Sequence, residues 1–223
     1  SPAFMPAIAT FSVFPKLSDA TGLPLGLFGG TFDPIHFGHL LIAETLREQF
    51  RLDRVVFIPS GRPPHKPLEA VSDALHRYEM VKRAIQGNEF FEVSKIEIDR
   101  PGYSYTVDTL EELREEFGEN TRIFFIIGAD IVHDIVNWRN PGRIFELAEF
   151  IAVMRPGFNR DCFNRMLDDL KREYSARIHT AEAPLIGISS TIIRDRIKKG
   201  LSIKYFLPES VESYIRQNNL YRG

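Results

Sequence analysis

The chain has 223 residues but only one cysteine, Cys162, and one tryptophan, Trp138. A lone thiol forms no intrachain disulfide and no cysteine-rich zinc site, and it suits a reducing, cytoplasmic compartment. An excess of one charge is also missing: Lys and Arg total 28 against 30 Asp and Glu, a formal net charge of -2. Proteins that coat nucleic acid usually carry a strong basic excess, so that class is set aside. No run is long and apolar enough to span a bilayer. The first fifteen residues hold no charged side chain and include Pro2, Pro6 and Pro15. A secretory signal would have a basic start and an unbroken apolar middle. Residues 1–23 are therefore read as a flexible leader or expression remnant, apart from one domain over 24–223. No Gly-Lys-Ser/Thr follows a glycine-rich loop, and no His-Glu-x-x-His occurs, which removes the Walker A and zinc-protease readings.

What is present is an ordinary globular composition, 43% hydrophobic and 26% charged. Short apolar runs alternate with amphipathic stretches from Leu25 onward. Leu25–Gly29, Arg54–Pro59, Arg122–Gly128 and Phe150–Met154 read as strands, and Arg122–Gly128 is apolar enough to be covered on both faces. Helices are expected over Phe37–Phe50, Ser72–Ile85, Thr106–Phe117 and Asp161–Tyr174, with two more starting near Ser190 and Pro208. Phe90–Asp99 contains an extended segment, Arg177–His179 reads as a short strand, and the proline-rich 61–67 as a loop. The alternation predicts the α/β class: a Rossmann-like, doubly wound, mostly parallel sheet with a small C-terminal helical portion. Ligands then gather beyond the carboxyl ends of the strands.

The first chemical segment, Gly29-Gly30-Thr31-Phe32-Asp33-Pro34-Ile35-His36-Phe37-Gly38-His39, lies where the first strand hands over to the first helix. Gly29 and Gly30 let backbone approach a ligand closely, and a helix start offers unpaired N–H groups to an anion. His36 and His39 are three apart, so they face the same way on an opening turn, with Gly38 keeping the surface open. Two imidazoles there can donate to phosphate oxygens. The plainer reading is a glycine-rich turn with two surface histidines. A second segment, Ile188-Ser189-Ser190-Thr191-Ile192-Ile193-Arg194, reads as a helix start. Its Ser and Thr side chains can cap N–H groups, and Arg194 is suited to a β- or γ-phosphate. Alone it would be an ordinary capped helix.

The run Gly29–His39 resembles the signature of the HxGH nucleotidyltransferases, which transfer a nucleoside monophosphate from a triphosphate. Ile188–Arg194 resembles the second motif of that family and differs from the Lys-Met-Ser-Lys-Ser element of tRNA synthetases. Further segments resemble the nicotinate-nucleotide adenylyltransferase branch: Pro59–Gly61 with Pro64-His65-Lys66, Ser104–Leu110, Ile127–Asp130, Trp138 and Val153–Gly157. The resemblance spans about residues 25–222. It implies that His36, His39, Lys66 and Arg194 are catalytic. Gly29, Gly30, Thr31, Phe32, Gly38, Ser189, Ser190 and Thr191 would join the histidines and Arg194 around ATP. Gly128 and Asp130 would meet its ribose. Lys66 and Thr106 would bind nicotinate mononucleotide, with Trp138 stacked on the pyridine ring.

Arg139, next to Trp138, is read here as favouring an anionic nicotinate over a neutral amide. His76, His133 and His179 lack metal-ligand spacing. The expected cofactor is magnesium carried by the ATP phosphates, with no protein metal ligand. Expected partners are ATP and nicotinate mononucleotide, with no nucleic acid and no membrane, while homo-oligomerisation is left open. The alternatives are the same chemistry on nicotinamide mononucleotide or phosphopantetheine, or a nucleotide sensor without catalysis.

Overall fold

A computed structural model describes residues 24–62, 64, 71–184 and 186–223. The expected leader, 1–23, and Lys66 lie outside the described residues. The strands are β1 (Leu25–Gly30), β2 (Arg54–Pro59), β3 (Phe91–Val93), β4 (Ile123–Gly128), β5 (Glu149–Met154) and β6 (Ile178–Glu182). They form one sheet in the order β3-β2-β1-β4-β5-β6. Every neighbouring pair is parallel, so the sheet is parallel throughout rather than mostly.

Continuous apolar strands follow from burial on both faces. In β4, Phe125 and Ile127 join one core cluster, with Leu25, Leu27, Phe145 and Phe150. Phe124 and Ile126 join the opposite cluster, with Phe28, Phe57, Met80 and Ile193. The helices are α1 (Phe37–Gln49), α2 (Ala74–Ala84), α3 (Ile96–Asp99), α4 (Thr106–Phe117), α5 (Pro141–Leu147), α6 (Arg160–Tyr174), α7 (Ser190–Lys198) and α8 (Glu209–Gln217). Side chains supply several caps: Asp73 accepts from Leu75 N at 2.8 Å, and Asn159 accepts from Cys162 N at 3.2 Å.

Three local features depart from the sequence expectation. Phe90–Asp99 holds the expected extended segment as β3, but it is followed by the single helical turn α3, which was not expected. Residues Ala129–Asn137 form a 3-10 helix, and α5 follows it; neither was expected. Strand β6 runs three residues beyond His179 because its pairing with β5 continues from Phe150↔Ile178 to Met154↔Glu182. The decisive consequence of the strand order lies between β1 and β4. There successive connections leave in opposite directions, and a crevice opens beyond the strand carboxyl ends. Both Gly30 and Gly128 end their strands at this point.

Candidate active site

Helix α1 starts at the mouth of that crevice. His36 is its N-cap, in extended backbone, and is 6% exposed. Its Nδ1 accepts the Gly38 N–H at 3.0 Å, while His39 Nδ1 accepts the His36 N–H at 3.2 Å. This is a capping box built from two imidazoles in place of the usual Ser/Thr and Glu/Gln. The rings stack, with centroids 3.8 Å apart and planes 28° apart. Phe32 closes the far side, its ring edge-on to His39 at 5.1 Å between centroids. Gly38 is a packing requirement, since a Cβ there would lie 2.7 Å from His36 Cε1.

Those bonds settle the protonation chemistry. An Nδ1 that accepts a backbone N–H has its lone pair occupied, so in the neutral ring the proton sits on Nε2. Burial pushes the His36 pKa down to about 4. Burial also holds His39 well below the usual histidine value, and the neighbouring His36 and Arg155 lower it further. At neutral pH the pair therefore offers two neutral Nε2–H donors, not two positive charges.

The second segment is stitched to the first across more than 150 residues of sequence. Ser189 caps α7 by accepting from Ile192 N at 3.1 Å. Ser190 Oγ donates to Pro34 O at 2.8 Å. Arg194 donates from Nη1 to Asp33 O at 2.8 Å and from Nη2 to Thr191 Oγ1 at 3.3 Å. The bonds to Pro34 and Asp33 join the α7 start to the turn before α1, so two helix N-termini open beside one another. Two helix starts side by side can offer unpaired N–H groups to a single anion.

On the β4 side, Asp130 is exposed and lies 3.8 Å from Arg155 Nε, at the end of β5. Gly128 makes room for this carboxylate, because a Cβ there would stand 2.5 Å from Asp130 Oδ1. Arg155, in the segment Val153–Gly157, pairs with Asp130, and its charge also acts on His39. Only the three-dimensional closure of the crevice brings it there.

Of the expected acceptor residues, Thr106, Trp138 and Arg139 are described, and Arg139 reaches the start of α4. Thr106 is half-buried, directly after Tyr105, and Trp138 is half-buried against the same apolar core as Tyr105. Arg139 lies over the Tyr105 ring at 4.6 Å, which fixes its guanidinium beside the α4 start. Ser104 exchanges two bonds with Arg62: Ser104 N donates to Arg62 O at 2.9 Å, and Arg62 N donates to Ser104 Oγ at 3.1 Å.

Among the described residues no three His, Cys, Asp or Glu side chains converge as a metal cage requires. No helix among the described residues is long and apolar enough to cross a membrane.

A helix start bearing paired histidines at the switch point of a parallel sheet defines a nucleotidyltransferase. The model of the cytidylyltransferase-like family matches residues 27–196. A "Probable nicotinate-nucleotide adenylyltransferase" of Thermoanaerobacter sp. (strain X514) is 47% identical over 200 residues, covering 90% of this chain and 95% of that protein. One of the same name from Desulfitobacterium hafniense (strain Y51) is 50% identical over 201 residues, covering 89% and 95%. The chain belongs to the nicotinate-nucleotide adenylyltransferase family. Its fold matches that of Plasmodium falciparum nicotinic acid mononucleotide adenylyltransferase complexed with NaAD. That match has a TM-score of 0.72 at 20% identity, covering 89% of this chain and 97% of that one.

Proposed function

We propose that the protein transfers the adenylyl group of ATP to nicotinate mononucleotide, releasing pyrophosphate and forming nicotinate adenine dinucleotide. The observation that carries this reading is the His36–His39 pair, with both Nδ1 atoms engaged and both Nε2–H groups left to donate. A ring already protonated on Nε2 is a poor base there. The reaction needs none, because the acceptor's 5′-phosphate is anionic at neutral pH and attacks the α-phosphorus directly. What the chemistry requires is position and donors aimed at oxygens that gain negative charge, and the imidazoles supply these.

The triphosphate lies across the paired N-termini of α1 and α7, with Arg194 and Thr191 at its far end. Lys66 adds a cation from the proline-rich segment, and Arg155 adds one from just after β5. Gly128 and Asp130 receive the ATP ribose, the carboxylate accepting from hydroxyls. Thr106 and Trp138 hold the pyridine ring, and Arg139 faces its carboxylate. A magnesium ion carried on the phosphates would supply charge neutralisation and Lewis-acid polarisation there. The lone cysteine and the nucleotide substrates fit a cytoplasmic setting.

The test is pyrophosphate release from magnesium-ATP, measured with and without nicotinate mononucleotide. Release that depends on the mononucleotide is expected. ATP binding without release under any of these conditions would contradict catalysis.

A further inference from the structure

Asp33 is 5% exposed, and its two carboxylate oxygens are met by neutral donors. Tyr221 Oη donates to Oδ1 at 2.5 Å, and Ser72 N donates to Oδ2 at 3.1 Å. Among the described residues no cation forms an ion pair with it. The backbone carbonyl of the same residue accepts Arg194 Nη1 at 2.8 Å. Asp33 is thus a joint: its side chain is held by the segment after α8, and its main chain holds the phosphate-facing arginine.

The surroundings make the joint stiff. Arg77, 1% exposed, donates from Nε to Ser72 O at 2.9 Å, from Nη1 to Thr31 O at 3.0 Å and from Nη2 to Gly61 O at 3.2 Å. It therefore ties the turn before α1 to the end of β2 and to Ser72. Phe37 N donates to Phe206 O at 3.1 Å, so the segment between α7 and α8 also touches the α1 start. Tyr221 is a further tie, made by its hydroxyl to the carboxylate. Burial first, and Asp33 second, push the phenol's pKa up, so Tyr221 stays a donor throughout the neutral range.

We propose that Tyr221 is a positioning residue for the ATP triphosphate. Its hydroxyl fixes the Asp33 carboxylate, and the Asp33 carbonyl in turn sets where Arg194 points. A buried carboxylate oxygen deprived of its donor seeks another partner. The nearest route is rotation of the turn, which carries the Asp33 carbonyl away from Arg194. The acceptor pocket at Thr106, Trp138 and Arg139 stands on other elements and does not depend on this tie. The inference rests on the proposed placement of ATP phosphates at Arg194.

The experiment is calorimetric titration of magnesium-ATP, and separately of nicotinate mononucleotide. It uses the unaltered protein, Tyr221→Phe, Arg194→Ala and the double variant. Tyr221→Phe should weaken ATP binding about tenfold, the loss expected for one hydrogen bond to a charged group. It should leave mononucleotide binding unchanged and cause no further loss in the Arg194→Ala background. A tenfold loss that persists in that background would overturn the route through Arg194. Equal weakening of both ligands, or a lowered Tm with unchanged ATP affinity, would reduce Tyr221 to a structural contact and overturn the inference. Failure of the unaltered protein to bind ATP would instead overturn the functional reading beneath it.

Discussion

His39 receives the backbone N–H of His36 on its Nδ1 at 3.2 Å, and the two rings stack at 3.8 Å between centroids. One imidazole thus positions the other while keeping its own Nε2–H free. His39→Ala removes a donor to the reacting phosphate and one cap of α1. The donor is worth about 100-fold or more in kcat, and the cap about 1 kcal/mol of stability. Steady-state kinetics beside thermal melting separate the two. A variant with near-normal kcat would refute the role.

The depressed histidine values make stability pH-dependent in a stated direction. The His36 pKa is lowered to about 4 in the folded chain, while the unfolded chain keeps the ordinary value of 6.5. Between those values the unfolded state binds more protons, so stability falls as pH falls from 6.5 toward 4. At about 1.4 kcal/mol per tenfold change, His36 contributes on the order of 3 kcal/mol across that window. His36→Asn retains a capping side chain and removes this titration. Denaturant melts at a series of pH values should show a shallower slope for the variant; an unchanged slope would contradict the neutral, buried histidine.

Glu149 sits at the opposite end of the sheet, at the start of β5. It accepts from Arg122 at 2.9 and 3.0 Å and lies 3.1 Å from His179 Nε2. Burial alone would raise its pKa, but those bonds and the Arg122 and Arg177 charges outweigh burial and hold it below the ordinary carboxylate value. Its contribution is present above the unfolded value and is lost as pH falls through the folded one. Arg122 and Arg177 are more than half exposed and can rehydrate, so Glu149→Gln should cost only about 1 kcal/mol at pH 7. The kcat should not change. A fall in kcat would show coupling between the two ends of the sheet.

Arg139 is fixed over Tyr105 beside the α4 start. If its guanidinium reads the nicotinate carboxylate, Arg139→Ala should cut the preference for nicotinate over nicotinamide mononucleotide about tenfold. The preference is measured as a ratio of kcat/KM values. An unchanged ratio would assign carboxylate reading to backbone N–H groups.

The strands were legible where burial on both faces leaves a continuous apolar run, as in Ile123–Ile127. β6 was only partly legible, because this outer strand mixes His179, Thr180 and Glu182 with its apolar residues. Ile96-Glu97-Ile98-Asp99 alternates like a strand but forms one helical turn against Gly61, where a Cβ would lie 2.3 Å from Glu97 O. That contact is tertiary and leaves no periodic trace. In the site, the three-residue spacing of His36 and His39 foretold that they share a face. Their neutrality was not legible, since it depends on burial and on which backbone N–H each ring accepts. The bonds from Ser190 to Pro34 and from Arg194 to Asp33 span 156 and 161 positions, beyond any local pattern. Arg77 reads as one more polar residue on an amphipathic helix; only the carbonyls of Thr31, Gly61 and Ser72 around it disclose its task.

The most direct test of the account is to incubate the protein with magnesium-ATP and one acceptor at a time, then separate the products. The acceptors are nicotinate mononucleotide, nicotinamide mononucleotide and phosphopantetheine. Nicotinate adenine dinucleotide should form in step with pyrophosphate, at the highest kcat/KM of the three. Product only with phosphopantetheine would contradict the assigned acceptor while leaving the nucleotidyl-transfer chemistry of the histidine pair standing.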